Sequence, residues 1–227
     1  MSLSSNTRST TWRSRIVPRI KAHQRFKGTA IPAFTAAFFA GYFLLLKFPL
    51  FPVTVMPVTA VDRLIGFQPG ALILYVSLWL YVSIAPALLD DKRELVSYLW
   101  AVTALSLVGM MIFFVWPTAT PAPDINWANY PGFEFLKTAD TSGNACPSLH
   151  VAFAMFSAIW LHLLLRRMGD SGLARCVSWC WCMGIVYSTL ATKQHVAVDV
   201  LAGAALGVTG AALHLWLLPT ARLRQPI

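Results

Sequence analysis

The chain has 227 residues, 57% of them apolar and only 12% charged, with a formal net charge of +9 and a mean hydropathy of +0.61. A soluble domain carries about twice that share of charge, so the composition excludes both a water-soluble globule and a disordered chain. The apolar runs are continuous rather than alternating, which argues against a membrane β-barrel. At roughly 20 residues per span, the apolar residues suffice for at most six transmembrane helices.

The chain opens with a basic arm, residues 1–29, holding seven Lys/Arg and no acid. It reads as a cytoplasmic segment before a signal-anchor helix rather than a transit peptide, because the apolar run that follows is too long for a signal sequence. Six apolar stretches follow, at about 31–51, 70–89, 95–116, 147–165, 176–191 and 196–218. Each must be helical, because the bilayer offers no water to satisfy a free backbone. The reading is therefore an all-α, six-helix membrane bundle with a membrane domain over 30–218 and a short tail, 219–227. If both termini are cytoplasmic, fourteen of the 18 basic residues fall on that side. The four others, Lys47, Arg63, Lys137 and Lys193, fall outside, as the positive-inside rule requires. The net charge is thus explained by topology, without a nucleic-acid partner.

Two exterior loops are unusual. Residues 48–69 are proline-rich and apolar, and should lie at the membrane interface; residues 117–146 are long enough to suggest a functional role. The four cysteines have no paired metal-ligand spacing, and three of them read as small hydrophobes lining the fifth span. Gly203 and Gly207 form a small-xxx-small pair suited to close helix packing. Asp90 and Asp91 stand beside Lys92, Arg93 and Glu94 and read as a solvated turn.

Polar residues gather at the exterior ends of the last three spans. The fourth opens with Asn144-Ala-Cys-Pro-Ser148-Leu-His150. Pro147 suits a first helical turn, placing Ser148 and His150 beside free N–H groups that can hold an anion. Asn144 either shapes the entrance with Asp140 or caps the helix. The fifth span closes with Ser188-Thr-Leu-Ala-Thr192-Lys193-Gln, and the sixth opens with His195-Val-Ala-Val-Asp199. The i,i+4 spacing lets Asp199 fix one nitrogen of His195 and leave the other as a nucleophile. Lys193 adds positive charge in the turn. Two histidines, a carboxylate, a serine and a lysine at helix ends make a phosphoryl-transfer kit. His162 and His214 belong to the opposite ends of their spans; His214 is 19 residues beyond His195, about 28 Å along a helix.

The run Cys146-Pro-Ser-Leu-His-Val, with His195-x-x-x-Asp199 and Gly203 some 45 residues later, resembles the type 2 phosphatidic acid phosphatase superfamily. The resemblance implies a six-helix membrane core and a metal-free, cofactor-free reaction. His195 would attack phosphorus, Asp199 would orient it, His150 would protonate the leaving group, and Ser148 would hydrogen-bond the phosphoryl oxygens. Lys193, Ser188 and, less directly, Thr192 would complete the phosphate site. The sequence departs from the family at two points: Thr189 stands where the second motif has arginine, and the first motif, K-x6-R-P, is absent. Each missing charge-assisted contact is worth about 1.5–3 kcal/mol. The run Thr192-Lys-Gln-His195 is more similar to the inositol-phosphorylceramide-synthase-like branch, whose phosphodiester substrates carry less charge.

The sequence therefore leads to an integral-membrane lipid phosphatase or phosphotransferase with its site on the exterior face, periplasmic in a bacterial inner membrane or lumenal in a eukaryotic endomembrane. The lipid tail would stay in the bilayer and the headgroup would meet the helix ends. The competing readings are an inactive scaffold on the same fold and a small transporter, the latter disfavoured because ionisable groups avoid the span interiors.

Overall fold

The computed structural model describes residues 12–133 and 143–218. Asp140, expected near the site entrance, lies outside them. The basic arm is helical where described: α1 (Ile16–Lys21) leads into α2 (Gln24–Lys47). Arg19 explains this docking. Its guanidinium donates to the Leu88 carbonyl at 3.1 Å and pairs with Asp90 at 3.0 Å. Lys27 donates to the carbonyls of Arg19 and Ala87 at 2.8 and 2.7 Å. The first long helix thus begins seven residues earlier than the apolar run and ends before Phe48.

The second apolar stretch is two helices, α4 (Leu72–Val76) and α5 (Leu78–Leu88), preceded by the short α3 (Ala60–Leu64). The two meet at Ser77, through which the backbone ladder continues: its N–H donates to the Ile73 carbonyl at 3.1 Å and its carbonyl accepts the Tyr81 N–H at 3.0 Å. Its hydroxyl donates to the Leu74 carbonyl at 2.7 Å and accepts the Trp181 indole N–H at 2.9 Å. Helix α6 (Lys92–Val115) starts at Asp91, whose carboxylate accepts from the N–H groups of Arg93 and Glu94 at 2.6 and 3.0 Å. The pair Asp90-Asp91 is thus an ion-pair partner and a helix cap. The last three helices are α7 (Leu149–Arg167), α8 (Leu173–Ala191) and α9 (Ala197–Leu217).

Five segments are long and apolar enough to cross a membrane: Gln24–Lys47, Pro69–Leu88, Lys92–Val115, Leu149–Arg167 and Ala197–Leu217. Helix α8 matches them in length but carries Arg175, two tryptophans and several hydroxyl residues, which lower its apolarity. Large apolar side chains including Ile73, Trp100, Leu107, Leu201 and Trp216 point outward, a surface suited to lipid rather than water.

Helix α7 forms the centre. Ala152, Ala154, Ala158, Phe156, Trp160 and Leu164 are all essentially buried, and α5, α6, α8 and α9 pack around it. The small-residue pair on α9 sets the closest of these contacts. A Cβ at Gly203 would stand 2.2 Å from the Ser148 carbonyl oxygen, and one at Gly207 would stand 2.3 Å from that of Ala152. Only glycine lets the two backbones meet at this separation. The basic ends of the bundle are also cross-linked. Arg167 of α7 pairs with Glu94 of α6 at 2.6 Å, and the His214 Nε2 meets the Ser97 hydroxyl at 2.9 Å.

The loop before α4 and the loop after α6 are tied to one another. Strands β1 (Thr54–Val55) and β2 (Thr118–Ala119) pair in parallel, and Ala119 bridges Gly143. The Cys146 N–H donates to the Thr118 hydroxyl at 2.8 Å. The two long loops thereby converge on the chain entering α7.

Candidate functional site

The entry to α7 differs from the sequence expectation in a way that matters. The helix starts at Leu149, so Pro147 and Ser148 precede it rather than forming its first turn. Ser148 is the N-cap: its Oγ accepts the Val151 N–H at 3.3 Å. The capping alternative for Asn144 falls away. Asn144 instead adopts a left-handed backbone, with φ of 49°, and donates from Nδ2 to the Tyr42 carbonyl at 3.1 Å. Ser148 is fully buried, and its own N–H donates to the Asp199 carbonyl at 3.0 Å. That bond joins the start of α7 directly to the first turn of α9.

His195 likewise precedes its helix, since α9 begins at Ala197. The Thr189 carbonyl accepts the N–H groups of both Gln194 and His195 at 3.1 Å. Lys193 takes a left-handed backbone at the turn, with φ of 58°. Asp199 occupies the first turn of α9 and has no exposed surface. Its Oδ2 accepts the Val196 N–H at 3.0 Å and lies 3.7 Å from Nδ1 of His195. Among the described residues, neither that nitrogen nor Asp199 Oδ1 has a hydrogen-bond partner. The nitrogen without a partner faces Oδ2, which already holds the Val196 N–H, and a small ring movement would close the remaining gap to a hydrogen bond.

His150 is fixed by Tyr75, which the sequence did not single out. The two rings stack with centroids 4.1 Å apart and planes 15° from parallel. His150 Nε2 bonds the Tyr75 backbone carbonyl at 3.0 Å, which makes that nitrogen the protonated one and leaves Nδ1 as an acceptor.

His150 and His195 line one small chamber of about 70 Å³, together with Asn144, Tyr42 and Tyr75. Phe38, Phe39, Trp79 and Phe153 also line it, and the same four side chains bound a second, larger cavity of about 500 Å³. This larger cavity runs between α2, α5, α6 and α7 past Val82, Val102 and Tyr98. It is almost wholly apolar. Apolar sequence runs cannot distinguish such a lining from ordinary core or lipid-facing surface.

Lys193 stands apart from His150. Its ammonium donates to the carbonyls of Asp62, at 2.9 Å, and of Ile65. With His195, Asp62 and residues 120–123 it lines a separate pocket of about 180 Å³. His195 is therefore shared by two spaces. Ser188 and Thr192 face neither. The Ser188 hydroxyl donates to the Ile185 carbonyl at 2.6 Å and that of Thr192 donates to the Ser188 carbonyl at 2.7 Å, so both stabilise the end of α8. Thr189, at the position of the family arginine, is also buried.

Cys146 is the other nucleophile nearby. Burial, and then the adjacent Asp199 charge, push its thiol up to about 11. It remains protonated at neutral pH and does not compete with imidazole. Among the described residues no group of three or more His, Cys, Asp and Glu is placed to hold a metal ion. His162, which accepts from Trp179 at 3.3 Å, and His214 lie away from the chamber.

No curated protein and no solved structure matches the chain. The sequence pattern of the PAP2 superfamily matches residues 94–223, from the start of α6 through α9. That match takes in His150, His195 and Asp199 and spans more than half of the protein, and the chain belongs to the PAP2 superfamily.

Proposed function

We propose that this protein is a six-span membrane enzyme, both termini cytoplasmic, that transfers or hydrolyses the phosphoryl headgroup of a lipid at its exterior face. Membership in the superfamily suggests phosphatase or phosphotransferase chemistry on a membrane-associated phosphate. In this reading α8 is the sixth span, and the exterior face is periplasmic or lumenal.

The observation that carries the lipid assignment is the wall that the two cavities share. The chamber with both histidines adjoins the 500 Å³ apolar cavity across Phe38, Phe39, Trp79 and Phe153. A headgroup at the histidines and a hydrocarbon tail among those aromatics would fill both spaces. The tail then enters the bundle instead of staying wholly in the bilayer.

The chemistry would run in two steps. His195 attacks phosphorus through Nε2 as the ester P–O bond breaks, and His150, which must first take up a proton on Nδ1 while Nε2–H stays on the Tyr75 carbonyl, gives that Nδ1 proton to the leaving oxygen. Water or an alcohol then gives its proton to His150, attacks phosphorus, and releases His195. Asp199 would hold the proton on His195 Nδ1 and stabilise the cationic ring. The Ser148 oxygen accepts from Val151, and its O–H would donate to a phosphoryl oxygen that reached the start of α7, although the side chain is fully buried and lines neither the chamber nor the Lys193 pocket. Lys193 has one ammonium proton beyond its two carbonyl bonds and would offer it from the far side of His195. With the family arginines absent, the site suits a phosphodiester, which carries one negative charge, and thus headgroup transfer as in the inositol-phosphorylceramide-synthase-like branch.

The test is phosphate release from phosphatidic acid and headgroup transfer from phosphatidylinositol, in vesicles, with and without added alcohol. Wild type should turn over at least one of them, and His195→Ala and His150→Ala should lower the rate by about 100-fold or more. A silent wild type across the panel, or two variants as fast as wild type, overturns the reading. Trapping phosphate on His195 in acid-quenched protein would support it directly.

A further inference from the structure

We propose that Asp62, in the first exterior loop, is a positioning residue for His195. Asp62 is 8% exposed and every bond it makes serves one of two ends. On its own loop, Oδ2 accepts the backbone N–H and the hydroxyl of Thr59, each at 2.7 Å. Across the molecule, Oδ1 accepts the Ala197 N–H at 2.8 Å, and its backbone carbonyl accepts the Lys193 ammonium at 2.9 Å. The two distant partners flank His195, one two residues before it and one two residues after.

This bracket matters because little else fixes the imidazole. His195 Nδ1 has no hydrogen bond among the described residues, and the Asp199 oxygen stands 3.7 Å away. The ring position is therefore inherited from the backbone of residues 193–197, whose turn is left-handed at Lys193. Its amino end is held by Thr189 of α8. Its carboxyl end enters α9 at Ala197, where the free first-turn N–H groups attract a negative charge. Asp62 supplies that charge from a loop pinned by β1–β2 pairing and by the Gln68 N–H bond to the Ala191 carbonyl at 2.8 Å. A nucleophile displaced by about 1 Å loses about 100-fold in rate, so releasing the bracket should be felt in turnover more than in binding.

The inference rests on the proposed role of His195, and the experiment separates the two. Initial rates are measured in vesicles of phosphatidic acid or phosphatidylinositol, with the full chain. Asp62→Ala should lower kcat by about 10- to 100-fold while KM stays within about threefold. Asp62→Asn keeps an oxygen for the Ala197 N–H and should recover most of the lost kcat. The sharper variant is Ala197→Pro. Proline is favoured at the first position of a helix, and Val196 already has the extended backbone that precedes proline. This change removes the N–H that Asp62 binds and puts the ring Cδ in its place, against Asp62 Oδ1, so the carboxylate loses its hold on the start of α9. It should lower kcat in the same direction as Asp62→Ala, and the double variant should be no slower than Asp62→Ala alone. A general loss of stability would leave Asp62→Asn unrescued and the double variant additive, and either outcome overturns the proposal. So does a kcat within twofold of wild type for both Asp62→Ala and Ala197→Pro when His195→Ala is inactive. If His195→Ala itself retains the wild-type rate, the site assignment falls and the positioning role falls with it.

Discussion

Asp199 Oδ2 is 3.7 Å from His195 Nδ1 and 3.0 Å from the Val196 N–H, so one oxygen both faces the imidazole and ties down the first turn of α9. The two duties separate by mutation. Asp199→Asn retains an oxygen for Val196 but loses the charge, and should lose about 100-fold or more in kcat with little change in thermal midpoint. Asp199→Ala loses the bond as well and should be less stable by about 1–3 kcal/mol. Melting in detergent, read beside initial rates, checks the pair. Equal midpoints for the two variants would remove the structural half of the argument.

The glycine contacts between α7 and α9 make a graded series. Gly203→Ala and Gly207→Ala each drive a methyl into a backbone carbonyl at 2.2 and 2.3 Å, where no rotamer can give way. Each should cost at least about 1–3 kcal/mol and reduce activity, because the displaced helix carries Asp199. Gly210→Ala meets only the end of the Leu105 side chain, at 3.0 Å, and should be milder. Gly28 lies in α2 with nothing within 4 Å. Alanine there should stabilise by about 0.5–1 kcal/mol through helix propensity. The order of thermal midpoints should be Gly28→Ala above wild type, then Gly210→Ala, then the other two.

The apolar cavity predicts a chain-length effect. Val82→Trp places an indole in the space beyond Trp79. Its KM for a long-chain lipid should rise about tenfold, while kcat on a dioctanoyl substrate stays within about twofold of wild type. Kinetics on a homologous series of chain lengths reads this out. An identical rise for every chain length would place the hydrocarbon elsewhere.

Asp170, in the turn between α7 and α8, gives a pH dependence. Burial opposes its charge, but the N–H groups of Gly172, Ala174 and Arg175 and the Arg175 guanidinium outweigh it, holding the carboxyl below its ordinary value of 3.8. A carboxyl depressed in the folded state contributes stability above its unfolded value and loses it as pH falls through the folded one. The loss should begin near pH 3.8 and continue below it. Asp170→Asn should be less stable than wild type at pH 7, and the gap should narrow in acid. Midpoints from pH 7 to 3 test the sign.

Periodicity and apolar length made the helices legible, and two spaced motifs drew attention to the starts of α7 and α9, which meet at one chamber. Local chemistry limited the boundaries. Ser148 caps α7 rather than entering it, because a serine oxygen satisfies a first-turn N–H better than a helical serine can. Partners distant in sequence were not legible. Thr59 and Asp62 have the spacing of a capping box, a signal that could have marked a short helix in the first loop. Nothing in the sequence joins Asp62 to Ala197, 135 positions away, or ranks Tyr75 above other tyrosines as the ring under His150.

The meeting of Gly203 with the Ser148 carbonyl has a thermal consequence. The segments bearing the two histidines touch backbone to backbone, so their spacing is set by covalent geometry rather than by side chains that change rotamer as temperature rises. Heating should leave the site intact until α7 and α9 part. Turnover and helical packing should then disappear over the same few degrees, with no inactive but folded stage between them.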